Sequence, residues 1–344
     1  AVVGCDPIPG ADGSTGDGLR ELADTAGINL GTAVGAGYLG RTTYNQLLNS
    51  HFNHVTAENA QKWAPLLGGG RGNYSWSDSD AFMDHAEDQN MRVRGHALIW
   101  HSQNPGWLDN GTWSKQQLLD LMDEHFGALA ARYGNQFYSW DVVNEAFDGN
   151  PPVHRSESIW HRTIGDSYIA EAFTRARNHF PNARLYYNDY NISGGYSWTD
   201  AKADRVYQMA QELVQNDVPI DGIGFQMHLQ LDHGFNTDNF KANLQRFIDL
   251  GLRVDVTEID IRIAEPVTNT ELNQQKQLYK DIFTAYLELD RAYADTFITW
   301  GIGDEQSWIP YTFEGYDAGP WFNDSWEPKP AFFGIQEVLQ GYTE

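Results

Sequence analysis

A short apolar run rich in β-branched and aromatic residues, then a polar end, then an amphipathic helix: this unit recurs along the 344-residue chain and restricts its fold more than any other feature. The strand candidates are residues 28–35, 54–59, 92–100, 137–145, 184–191, 222–229, 253–260 and 297–304. Helical periodicity is clearest over 115–133, 167–179, 202–216, 238–250 and 271–289. In the last of these, Leu272, Leu278, Ile282, Ala285, Tyr286 and Leu289 fall near one face, the stripe that a helix buries. Thr199-Asp200 and Thr237 read as helix starts, and Gly134 and Gly251 as stops. Strands alternating with helices imply a parallel sheet joined by right-handed crossovers. Eight such units predict an α/β fold closed into a TIM (β/α)8 barrel, with an open doubly wound sheet as the alternative. Residues 1–18, rich in Gly, Asp and Pro, read as a loose leader, and 19–344 as a single domain.

Unusual polar residues fall at the C-terminal ends of these strands. They are Glu58 and Asn59, His96 and His101, Asn144 and Glu145, Asn188 and Asp189, Gln226 and His228, Glu258 and Asp260, and Trp300 and Asp304. In a barrel those ends converge on one face, where active sites form. A lone His or Asp is by default a satisfied structural group, but so many at equivalent strand ends need another explanation. Glu145, in WDVVNEAF, and Glu258, in VDVTEID, stand out because each follows a strongly apolar strand. Glycoside hydrolysis needs two such carboxyl groups, one to protonate the leaving oxygen and one to attack the anomeric carbon as an anion.

The stretches FNHVTAENAQKW, RGHALIWHSQNPGW, WDVVNEAF, YYNDYN, GIGFQMHL, VTEID, WGIGDEQSW and EPKPAFFGI, in this order, carry a resemblance. From about residue 28 to 342 the chain resembles the family-10 glycoside hydrolases, the endo-β-1,4-xylanases. The resemblance implies a retaining enzyme with Glu145 as acid/base and Glu258 as nucleophile. It implies that Asn144 bonds the 2-hydroxyl of the sugar under attack, and that His228 bonds Glu258 and is oriented by Asp260. Glu58, Asn59 and Lys62 would grip the next sugar on the glycone side. His96, Trp100, Gln103 and Gln226 would line the cleavage position, Tyr190 the aglycone side, and Trp300 and Trp308 the glycone sugars. Gln103 and Trp308 match positions that crowd the hydroxymethyl group distinguishing glucose from xylose. Three positions depart from the family pattern: Ala57 stands where proline is common, Gln61 where methionine is, and Ile309-Pro310 where an arginine usually follows Trp308.

Composition limits the partners. With 23 basic and 47 acidic residues the net charge is −24, which disfavours nucleic acid and anionic membranes. The same acidity suits an ordinary acidic secreted enzyme or one adapted to a saline habitat. No apolar run approaches the ~20 residues of a membrane span. The expected partners are xylan and xylo-oligosaccharides, and the protein is expected to be a secreted monomer with no cofactor and no metal. Cys5 is the only cysteine, so no internal disulfide forms; Val2-Val3-Gly4-Cys5 resembles a lipobox, the alternative being an incidental cysteine in a tail. GAGYLG (35–40) fits the dinucleotide pattern G-x-G-x-x-G, with a plain glycine loop as the competing reading. His96 and His101 raise a metal hydrolase, but no H-x-H or H-E-x-x-H ligand set accompanies them. A non-catalytic sugar-binding barrel would also use the twelve tryptophans, yet would not need both glutamates.

Overall fold

Eight parallel strands follow the sequence periodicity: β1 (Asn29–Val34), β2 (His54–Ala57), β3 (Arg92–Gly95), β4 (Phe137–Asn144), β5 (Arg184–Asp189), β6 (Gly222–Phe225), β7 (Arg253–Ala264) and β8 (Thr296–Thr299). Each pairs with the next, and β8 pairs with β1 through Asn29↔Thr296 to Thr32↔Thr299, so the sheet closes into a (β/α)8 barrel. The computed structural model describes residues 18–343. The expected leader, except Gly18, and the lipobox reading of Cys5 lie outside them.

Side chains interlock closely on both faces of the closed sheet, and glycines provide the room. A Cβ on Gly95 would lie 2.3 Å from the Trp140 ring, and one on Gly224 only 2.3 Å from Asn188 Oδ1 and 2.9 Å from the Arg94 guanidinium. A side chain at Gly224 would displace the barrel interior that supports the strand ends, and one at Gly95, on the opposite face from Arg94 and His96, would displace Trp140 from its packing on Phe137 and Phe180 outside the barrel.

Four predicted strands differ markedly in extent, and one of them, the 297–304 candidate, already ends at Thr299. The 92–100 candidate splits into β3 and a two-residue strand, Ile99–Trp100, which pairs with Val143 and Asn144. The 222–229 candidate splits likewise into β6 and His228–Gln230. β7 runs on to Ala264, beyond the predicted 260, because its outer half pairs with His228–Gln230 and antiparallel with Tyr316–Asp317.

The helices Lys115–Tyr133, Tyr168–His179, Asp200–Gln215, Thr237–Ile248 and Asn269–Leu287 match the predicted ones within two residues. Thr237 is not the cap of its helix: Asn236 is, its side chain accepting from Asn239 N. The buried face of Asn269–Leu287 is also rotated from the predicted stripe. Gln275, Tyr279 and Phe283 are buried in it, while Leu272 and Leu278 are half-buried. Gln275 is buried because its amide donates to the carbonyls of Ile261 and Ala318, a contact that hydrophobic periodicity does not reveal. The C-terminal helix Pro330–Thr343 packs between Asn269–Leu287 and Leu19–Ala26 and covers the outside of the barrel where its two ends meet. GAGYLG forms a 3₁₀ turn at Ala36–Tyr38, and the next helix, Thr42–His51, begins only after its last glycine. Among the described residues no helix is long and apolar enough to cross a membrane.

Candidate active site

The parallel register brings strand ends from all round the barrel to one cleft of about 590 Å³. Every residue expected to bind substrate or act in catalysis lines it: Glu58, Asn59, Lys62, His96, Trp100, Gln103, Asn144, Glu145, Tyr190, Gln226, His228, Glu258, Trp300 and Trp308. Asp260 stands behind that wall, buried.

Glu145 follows β4 directly and adopts φ +55°, a left-handed conformation that costs a non-glycine residue energy. The surroundings hold it there. Its N–H donates to Asn188 O (2.9 Å), and Arg155 Nε donates to its carbonyl (2.9 Å). Its carboxylate accepts from Trp100 Nε1 on one oxygen (2.9 Å) and from Gln226 Nε2 on the other (2.9 Å), with Asn144 Nδ2 at 3.2 Å. His101 Nδ1 is 3.9 Å away. The partners closest to this carboxyl group are neutral donors.

Glu258 has a different environment. It is buried, and His228 Nε2 lies 3.0 Å from Oε2 while Asn188 Nδ2 donates to Oε1 (2.8 Å). Burial pushes its pKa up, but the His228 hydrogen bond and the fields of His96 and His228 outweigh that and hold it below the usual glutamate value. His228 in turn contacts Asp260 through Nδ1 (2.9 Å), and Trp308 Nε1 donates to the same Asp260 oxygen (2.8 Å). Burial opposes a charge on His228, yet Asp260 and Glu258 overcome it and raise its pKa to about 10. At neutral pH the group beside Glu258 is therefore an imidazolium.

The two carboxyl groups share a neutral scaffold. Asn188 Nδ2 also donates to Asn144 Oδ1 (2.9 Å), Thr257 Oγ1 donates to Asn188 Oδ1 (2.7 Å), and Gln226 reaches Asn144 as well (3.2 Å). Lys62 Nζ donates to Asn59 Oδ1 (2.8 Å) and sits 4.9 Å from the Trp100 ring centre. Glu58 beside it is pushed up by burial, which Lys62 only partly offsets. Tyr190 accepts from Arg155 (2.6 Å) and has Lys202 over its ring at 3.6 Å.

Sequence reasoning missed the layer beneath. Arg94 is fully buried and donates to Asp141 Oδ1 and to Asp255 Oδ2 (2.9 Å); His96 Nδ1 lies 2.8 Å from the other Asp141 oxygen. Burial raises Asp141, but Arg94 outweighs it and keeps it anionic; Asp255, less well compensated, is pushed up to about 7. His96, Asp141 and Glu258 bring potential metal donors close together, but the Arg94 guanidinium already holds the shared carboxylate. One signal was available: Arg94 precedes His96 by two residues and shares its inward face. The far end of the cleft, lined by Tyr196, Trp198, Gln230, His233, Arg262 and Phe313, was missed too.

Known proteins share this fold and much of this sequence. Endo-1,4-beta-xylanase B of Thermotoga neapolitana is 37% identical over 328 residues, covering 94% of this chain and 91% of that protein. An endo-1,4-beta-xylanase of Agaricus bisporus is 38% identical over 321 residues, covering 92% and 93%. The crystal structure of native xylanase 10B from Thermotoga maritima superposes with a TM-score of 0.89 at 36% identity, covering 95% of this chain and 99% of that one. Xylanase 10B from Thermotoga petrophila, solved in complex with xylobiose, gives the same score and identity, covering 95% and 98%. The profile of glycosyl hydrolase family 10 matches residues 18–338, and with relatives this similar over this much of its length the chain belongs to glycosyl hydrolase family 10.

Proposed function

We propose that this protein is an endo-β-1,4-xylanase that cleaves xylan with retention of configuration through a covalent glycosyl-enzyme. The observation that carries this reading is the unequal setting of two carboxyl groups in one cleft. Glu258 is buried against the His228 imidazolium and held anionic, as a nucleophile must be. Glu145 is set among neutral donors in the same cleft, as suits a group that gives a proton to the leaving oxygen and later takes one from water. Asn144 bonds Glu145 and is linked to Glu258 through Asn188, and on this reading it bonds the 2-hydroxyl of the sugar under attack. Xylan and xylo-oligosaccharides are the substrates this reading names, in keeping with the names of the relatives.

Each glutamate should fail differently on mutation. Glu258→Ala stops both displacement steps for every substrate. Glu145→Ala loses the proton donor, so a dinitrophenyl glycoside, whose leaving group needs no proton, should still form the glycosyl-enzyme and then stall. Azide needs no base, so it should restore turnover in Glu145→Ala and give the β-glycosyl azide. An α-azide from that variant, or β-azide from Glu258→Ala, would reverse or refute the roles. Proton NMR of the first product from xylo-oligosaccharides tests retention in the wild type: the β-anomer must appear before mutarotation.

A further inference from the structure

Arg262 is the one arginine among the described residues lining the cleft, and among those residues it has no carboxylate within ion-pair distance. Elsewhere Arg94 is paired with Asp141 and Asp255, Arg155 with Asp148 and Glu157, and Arg184 with Asp295, while half-buried Arg20, Arg205 and Arg291, which like Arg262 have no ion pair among the described residues, lie outside the cleft. In a chain with 47 acidic residues to 23 basic ones, leaving a half-buried guanidinium without an anion is costly. Arg262 NH2 donates to Gln230 Oε1 (2.9 Å), and the guanidinium lies 3.9 Å from the Phe313 ring centre. Its Nε is buried without a partner, and NH1 makes no hydrogen bond with the described residues. The carboxylates whose fields reach it lie beyond ion-pair distance: Asp232 accepts from Gln230, and Asp260 meets His228 and Trp308 through Oδ2.

The position of this arginine matters. It lies on β7 four residues beyond Glu258, roughly 13 Å along the strand and so away from the bond being cut. Gln230, which holds it, accepts at its carbonyl from Tyr196 OH (2.7 Å), and the Tyr196 ring stacks on Trp198 at 5.8 Å and 17°. Trp198 is 61% exposed and lines the same cleft. A flat apolar face and a cation without an anion thus meet at one end of a groove that accepts sugars.

On the reading that this protein is a xylanase, we infer that this end of the cleft binds a carboxylate-bearing branch of xylan, a uronic acid. Arg262 holds its carboxylate and Trp198 packs on a sugar face. An unbranched xylose chain has no charge for Arg262 to meet. The net charge of −24 repels an acidic polysaccharide, so a local cation is what would let such a chain dock.

The test compares a uronic-acid-branched xylo-oligosaccharide with the same compound after its carboxyl group has been reduced to the neutral alcohol, both at 0.15 M salt as about 8 Å of screening length. The wild type should show a kcat/KM roughly tenfold higher on the acid form, the size of one charge-assisted pair at a half-exposed site. R262Q should bring the two forms level, and R262K, which keeps the charge but loses the planar fork, should fall between. Equal rates on both forms by the wild type, or a preference that survives in R262Q, would overturn the inference. The wild-type ratio decides the matter even where a variant fails to fold. No hydrolysis of either form or of linear xylan would remove the xylanase reading and this inference together.

Discussion

Asp260→Asn isolates the part of the site that keeps Glu258 anionic. Asp260 is buried and accepts from both His228 Nδ1 (2.9 Å) and Trp308 Nε1 (2.8 Å), so the amide keeps the shape but removes the charge that sustains the imidazolium. The ordinary value for His228 is 6.5 and its folded value about 10. A histidine raised in this way contributes stability that is fully present below pH 6.5 and is lost as pH rises through about 10. The gap of 10 − 6.5, at ~1.4 kcal/mol per pH unit, corresponds to an upper bound of about 5 kcal/mol shared among Asp260, His228 and Glu258. Breaking a buried ion pair costs about 3–5 kcal/mol, which agrees. Urea unfolding at pH 6 should therefore show the variant several kcal/mol less stable, with the difference shrinking steadily toward pH 10. Background titrations of other groups cancel in that difference. A gap between wild type and variant that stays constant from pH 6 to 10 would refute the charged His228 and, with it, the electrostatic account of Glu258.

Other outcomes follow from the same structure. Xylan should be hydrolysed in preference to carboxymethylcellulose: Gln103 and Trp308 line the cleft, the family resemblance implies that they crowd the hydroxymethyl group of glucose, and a small-group misfit costs about 1–3 kcal/mol; equal turnover on the two would count against it. Xylan viscosity should fall well before much reducing sugar accumulates, whereas release of xylose alone would mean attack at chain ends. Lys329→Met should cost about 3–5 kcal/mol, since Lys329 Nζ meets both Asp304 oxygens (2.7 and 2.9 Å) and the Ala318 carbonyl in a buried position; a change under 1 kcal/mol in urea unfolding would show that this tie contributes little. The thermal midpoint should rise between low and molar NaCl if the −24 charge strains the fold, and a flat response would mark an ordinary acidic enzyme.

Alternation of strand and helix, and the carboxylates at strand ends, are local properties of the sequence. The eight strands, the barrel class and the positions of Glu145 and Glu258 were therefore legible before any coordinates. Boundaries were less so. β7 outruns its predicted end because a neighbouring strand supplies pairing partners, and Gln275 turns its helix because two distant carbonyls need a donor. The supporting layer escaped altogether: Arg94 meets Asp141 and Asp255 across sequence separations of 47 and 161 residues. No periodicity encodes such a meeting, because hydrophobic pattern reports only which face of an element turns inward. Which inward groups touch depends on strand stagger and barrel closure. The same closure placed Arg262 opposite Gln230 at the mouth of the cleft, where the sequence shows only an arginine four residues after a glutamate. Local chemistry thus determined where the two cleft carboxylates stand, while the closed barrel decided what each one faces, and for Glu258 that it is held anionic.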